Sequence, residues 1–112
     1  MNKYYLSLVA SFFFTQITLS QKVYSVAYQN QADIKVFVVD YENQADLKVF
    51  KVQYQNQALK NEGKWFFTDY PNQADIKIYF VKYANQADIK IYFVKYENQA
   101  GWNNQSKIHL MY

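Results

Sequence analysis

From residue 22 onward, apolar and polar positions recur in short blocks. A seven-residue unit appears as KVYSVAY (22–28), KVFVVDY (35–41), KVFKVQY (48–54), KWFFTDY (64–70) and twice as KIYFVKY (77–83, 90–96). A shortened copy, KIHLMY, closes the chain at 107–112. β-Branched and aromatic residues crowd each unit, and Asn, Gln and Asp cluster between units, the pattern of strands bounded by turns. The sequence therefore predicts seven short strands, each spanning about 23 Å at ~3.3 Å per residue, and no helix. Alternation divides each strand into two faces. One carries Lys, an aromatic ring, Val and Tyr, as in Lys48, Phe50, Val52 and Tyr54. The other starts apolar at Val23, Val36, Val49, Trp65, Ile78, Ile91 and Ile108 and turns polar towards the strand end. Both faces bury something, so the strands belong to a compact body rather than to an open sheet with one wet face.

Asn-Gln-Ala occurs six times, starting at Asn30, Asn43, Asn56, Asn72, Asn85 and Asn98, with spacings of 13, 13, 16, 13 and 13. The symmetry of that series marks a larger duplication, in which 28–58 matches 70–100, so the halves run about 22–62 and 63–112. The chain's two glycines, Gly63 and Gly101, stand where extra residues interrupt the repeat. Glycine there permits positive φ where the chain changes direction.

Residues 1–20 differ from the rest. Lys3 gives a positive start, Tyr4 to Phe14 is largely apolar, and Thr18 and Ser20 are small residues placed for a cut before Gln21. This layout predicts a secretory signal and a single exported domain over 21–112, either periplasmic, at the cell surface or secreted. The apolar run is too short for a membrane span, which takes about 20 residues. The absence of cysteine excludes disulfides and thiolate metal sites, although a small exported domain commonly relies on such staples. Aromatic residues, 21% of the chain, offer the alternative, since each ring can bury roughly 150–250 Å². A formal charge of +3, spread evenly along the chain, does not make a nucleic-acid surface.

Few residue groups suggest chemistry. The turn residues are Asn30, Gln31, Asp33, Asn43, Gln44, Asp46, Asn56, Gln57, Asn72, Gln73, Asp75, Asn85, Gln86, Asp88, Asn98 and Gln99, and among them the four Asp with their Asn neighbours offer oxygen ligands to Ca²⁺. The acids, however, stand one per turn with no glycine to wrap a loop around an ion. A structural role fits better, with Asn and Asp bonding nearby backbone N–H groups, Gln reaching a neighbouring strand and Ala leaving room for chain crossings. His109, the lone histidine, occupies the slot filled by rings in the other strands. Seven lysines head the seven strands and read as solvated guards of strand edges. Three positions after each of these lysines stand Ser25, Val38 and Lys51 in the first half and Phe67, Phe80 and Phe93 in the second. The three phenylalanines are a candidate binding patch. The competing expectation is that the seventh strand, through Leu110, covers them. No catalytic residue, cofactor or metal site is expected.

The tandem Y-x-N-Q-A-D-[IL]-K-[VI]-[FY]-x-V units, the central W-F-F-T-D-Y (65–70) and the closing Q-A-G-W (99–102) resemble the septoil-knot domain family, small bacterial β proteins of unknown function. The resemblance implies an all-β fold of small antiparallel sheets wrapped by a chain threaded as a seven-crossing torus knot. It also implies a monomer resistant to unfolding, and it contributes no catalytic residues. Without it, constant short repeats would suggest a β-solenoid. The functional expectation is a non-catalytic, exported, kinetically stable domain acting as a structural or surface-binding module on an envelope component or protein partner. The alternatives are a self-associating matrix protein and a glycan-binding protein with aromatic platforms.

Overall fold

The computed structural model describes residues 21–112; the expected secretory segment, 1–20, lies outside the described residues. Seven strands form: β1 (Lys22–Ser25), β2 (Ile34–Val38), β3 (Leu47–Lys51), β4 (Lys64–Phe67), β5 (Ile76–Phe80), β6 (Ile89–Phe93) and β7 (Gly101–Trp102). They do not make small antiparallel sheets. The order is β4-β1-β5-β2-β6-β3, and a further β3–β4 pairing closes these six strands into a barrel. Every pairing within it is parallel; only the two-residue β7, set beside β3, is antiparallel. The structure is all-β, as expected, but neither antiparallel nor a solenoid.

Strands from the two halves alternate around the barrel: β1, β2 and β3 occupy every second place, and β4, β5 and β6 fill the gaps. Parallel neighbours usually need a crossover of a dozen or more residues, because the chain must return to its starting level. Here the stagger removes the return. Ser25, which ends β1, and Ile34, which starts β2, both pair with Ile78 of β5. Val38 and Leu47 likewise both pair with Ile91. In the second half, Phe67 and Ile76 share Val23, and Phe80 and Ile89 share Val36. Each link, at 26–33, 39–46, 68–75 and 81–88, has only to step sideways over one strand of the other half. The β3–β4 link differs. It joins adjacent strands and must turn back, since Lys64 at the start of β4 pairs with Phe50. Its extra length and Gly63, at φ +86°, serve that reversal. A Cβ on Gly63 would lie 2.3 Å from the carbonyl oxygen of Lys48, so only glycine fits.

The barrel interior takes one side chain from each strand at its centre: Val23, Val36, Val49, Trp65, Ile78 and Ile91, all fully buried. Ile34, Leu47, Ile76 and Ile89 pack beside them. These are the apolar starts of the face that becomes polar, and closing the sheet on itself is what buries them. The end at 107–112 is not a seventh strand. Gln105–Met111 forms 3₁₀ helix and returns Met111 to the core. His109 is therefore exposed and fills no ring slot. Buried amides fasten this end: Gln21 Nε2 donates to Asn61 Oδ1 and to the Met111 carbonyl, both at 3.0 Å. Asn61 Nδ2 donates to the Ile108 carbonyl at 2.9 Å.

Candidate functional site

Four of the turns that cross a strand of the other half carry an Asp that holds that strand. The Asp33 N–H donates to the Lys77 carbonyl, and the Lys77 N–H donates back to Asp33 Oδ2. Asp46 does the same with Lys90, Asp75 with Lys22 and Asp88 with Lys35. The Asp partner is thus a backbone 44 or 53 residues away rather than the local amide of an Asx turn. The third turn of each half has Leu59 or Gly101 in place of Asp and makes no such exchange, although the Tyr96 turn also crosses a strand, β3, which lies between β6 and β7. Asp46 has further partners. Asn104 Nδ2 donates to Oδ1 at 3.2 Å and Lys107 Nζ lies 3.4 Å from Oδ2. Burial raises this carboxyl's pKa, but the Lys90 amide, Asn104 and Lys107 outweigh it and hold the group below its usual value of 3.8.

The rest of each turn faces water. Single 3₁₀ turns form at Gln29–Gln31, Glu42–Gln44, Gln55–Gln57, Pro71–Gln73, Ala84–Gln86 and Glu97–Gln99. Each is preceded by a tyrosine whose carbonyl accepts the N–H of the turn's Gln at 3.0–3.1 Å. The tyrosine rings are not needed for that bond, yet they stand out in solvent: Tyr28, Tyr41, Tyr54, Tyr70, Tyr83 and Tyr96 are all 60–68% exposed. The Asn and Gln that follow are exposed as well. The side chains of Asn30, Asn43, Asn56, Asn72, Asn85 and Asn98, and of Gln31, Gln44, Gln86 and Gln99, make no hydrogen bond among the described residues. Gln57 accepts from the Tyr54 N–H, and Gln73 from Thr68 Oγ1. The expected reach of Gln to a neighbouring strand does not occur at Gln44 or Gln86.

The stagger arranges these turns as a ring around the waist of the barrel. The Tyr70 turn crosses β1 at Val23, the Tyr28 turn β5 at Ile78, the Tyr83 turn β2 at Val36, and the Tyr41 turn β6 at Ile91. Each step moves one strand sideways and two residues along, about 8 Å over the barrel surface. Tyr96 continues the series where β6 ends opposite Val49, Tyr54 follows where β3 ends opposite Trp65, and the next step returns to Val23, so the series closes. Tyrosines adjacent on the ring thus come from opposite halves of the sequence. Nothing in single-strand periodicity foretold this neighbourhood, although the signal of constant Tyr, Asn and Gln was present in every repeat.

The three phenylalanines lie elsewhere, at one mouth of the barrel. Around it the order reads Phe67, Ser25, Phe80, Val38, Phe93, Lys51. Interleaving places a small or flexible residue between each pair of rings, so the asymmetry between the halves is a packing solution. All three rings are half-buried against the core. Lys51 Nζ lies 5.2 Å from the Phe67 ring centre and 4.5 Å from that of Phe93. Leu110, on the 3₁₀ segment, is 37% exposed and does not arrive as a strand to cover them. The strand-heading lysines are half-buried on the outer face, and the closed barrel leaves them no open edge to guard.

Carboxylates are drawn off by these lysines: Glu42 pairs with Lys48 at 3.4 Å, and Glu62 and Glu97 pair with Lys64 at 3.8 and 3.6 Å. Among the described residues no group of three or more His, Asp or Glu is placed to hold a metal ion. No described helix is long and apolar enough to cross a membrane.

A family model described as the 7(1) septoil knot domain matches residues 20–103. No curated protein and no solved structure matches the chain.

Proposed function

The chain belongs to the septoil-knot domain family, and for this member we propose a non-catalytic role as an exported, kinetically stable module that binds an envelope component through its six Tyr-x-Asn-Gln turns. One observation carries the reading: each turn repeats an exposed Tyr, Asn and Gln, and most of these side chains have no work to do in the fold. Exposed apolar rings scattered singly need no explanation, but six at equivalent sites mark a surface built for contact. The interlaced barrel supports the other part of the proposal. Every parallel pairing joins a strand of one half to a strand of the other, so unfolding must separate long-range pairs throughout, and persistence becomes a matter of rate. Closure also removes the long free edges from which a self-associating matrix would grow.

The test is retention of the labelled 21–112 domain on isolated envelope of the organism that makes it. The parent should be retained saturably, and a Tyr28→Ala/Tyr83→Ala variant with an unchanged unfolding midpoint should be washed off. Equal retention of both proteins would reject the turns as the binding surface.

A further inference from the structure

Comparing the six turns with one another shows what the surface is selected to keep. The residue before each tyrosine is exposed in every copy and varies freely: Ala27, Asp40, Gln53, Asp69, Lys82 and Lys95. The residue after it also varies, as Gln29, Glu42, Gln55, Pro71, Ala84 and Glu97. Between and beside these drifting positions, Tyr, Asn and Gln are identical six times. Backbone geometry does not demand them. Lys60 is the one non-glycine residue with positive φ among the described residues, so no turn Asn occupies a left-handed conformation that would favour it. The constant Ala is accounted for by burial or partial burial, and the four Asp by their strand contacts. Tyr, Asn and Gln are left with no structural explanation except at Gln57 and Gln73.

The chemistry of what remains is specific. An exposed phenol ring offers a flat apolar face with a hydroxyl at its rim. Beside it stand two primary amides, each able to donate and accept at once. Neither group carries charge, and the varying position before Tyr mixes two Asp with two Lys. This set suits a ligand with apolar C–H faces and a dense fringe of hydroxyls, which describes a pyranose sugar. It offers an anion no constant positive charge, because Lys stands before Tyr in only two of the six turns and Asp stands there in two others. The ring repeats the set once for each barrel strand. One sugar ring reaches one tyrosine, whereas a polymer reaches several and gains by linkage of weak contacts.

Resting on the surface-binding reading above, we propose that the Tyr-Asn-Gln ring is a binding track for a linear, neutral polysaccharide that winds around the barrel and is contacted in the order Tyr70, Tyr28, Tyr83, Tyr41. The sugar rings stack on the phenols, and the Asn and Gln amides exchange hydrogen bonds with the hydroxyls.

Affinity electrophoresis and calorimetry with defined polymers test it: β-1,4-glucan, α-1,4-glucan, mannan and xylan as neutral probes, with dextran sulfate as the anionic control. At least one neutral polymer should bind, and its oligosaccharides should gain affinity at least tenfold from one ring to six. A Tyr28→Ala/Tyr83→Ala protein with parental unfolding should lose at least tenfold, while Tyr28→Phe/Tyr83→Phe keeps most of the affinity. Binding of none of the neutral polymers, preference for dextran sulfate, or binding indifferent to the tyrosines would overturn the assignment. If envelope retention still depends on the tyrosines while every neutral polymer fails, the ligand class is wrong and the binding surface stands. Failure of both rejects the surface itself.

Discussion

Asp33 and Lys77, 44 residues apart, exchange two hydrogen bonds: the Asp33 N–H donates to the Lys77 carbonyl and the Lys77 N–H donates to Asp33 Oδ2, each at 2.8 Å. The first bond continues the parallel ladder, and the second ends it by satisfying the amide that the crossing strand would leave bare. The same exchange at Asp46, Asp75 and Asp88 fixes the register of one half on the other.

Removing the carboxylate should cost most where the amide is least able to turn to water. The Lys90 N–H to Asp46 bond is partly buried, whereas that from Lys77 to Asp33 is exposed. Asp46→Ala is expected to destabilise by about 1–3 kcal/mol and Asp33→Ala by less, because an unpaired buried donor carries its full desolvation cost. Urea unfolding of the two variants checks the order.

Acid should reproduce part of that loss. Asp46 is held below its ordinary carboxylate value in the folded state, so the unfolded chain takes up the proton first. Its contribution is present above the unfolded value of about 3.8 and disappears as pH falls through the lower folded value. The gap in unfolding midpoint between the parent and Asp46→Ala should therefore hold from pH 7 to 5 and narrow towards pH 2. A gap that is constant or widens on acidification contradicts the assignment.

Gly63 and Gly101 both have positive φ, at +86° and +150°, but their surroundings differ. A Cβ at Gly63 meets the Lys48 carbonyl, while one at Gly101 meets nothing within 4 Å. Gly63→Ala combines backbone strain of order 1–3 kcal/mol with that clash, so it should destabilise clearly more than Gly101→Ala. Equilibrium unfolding of the pair compares them directly.

The turn amides provide the opposite case. Gln44 and Gln86 are exposed without side-chain partners, so Gln44→Ala and Gln86→Ala should leave stability within about ±0.5 kcal/mol. Thermal unfolding of either variant is sufficient to check this.

How far these features could be read from the chain depended on whether they were local. Strand positions β1 to β6 followed from seven-residue blocks of Val, Ile, Phe and Tyr, and the duplication followed from the spacing of Asn-Gln-Ala. Strand direction was not legible, because alternation alone cannot say whether a neighbour runs up or down. The unit 107–112 looked like a strand by composition, but the barrel was already closed by six, and its one buried position, Met111, is reached by a 3₁₀ segment. The Phe67, Phe80 and Phe93 asymmetry was visible, yet its reason lay in interleaving, which sets each ring between residues of the other half. The tyrosines were legible as repeats, but their order around the barrel came from the stagger.

That order around the barrel gives the most direct test, a double-mutant cycle on envelope retention using Ala substitutions at Tyr28, Tyr83 and Tyr41. Tyr28 and Tyr83 are one step apart on the barrel although 55 apart in sequence; Tyr28 and Tyr41 are near in sequence but two steps apart. A ligand following the ring predicts stronger coupling for Tyr28 with Tyr83 than for Tyr28 with Tyr41. Additive losses in both pairs, or stronger coupling between Tyr28 and Tyr41, would contradict it.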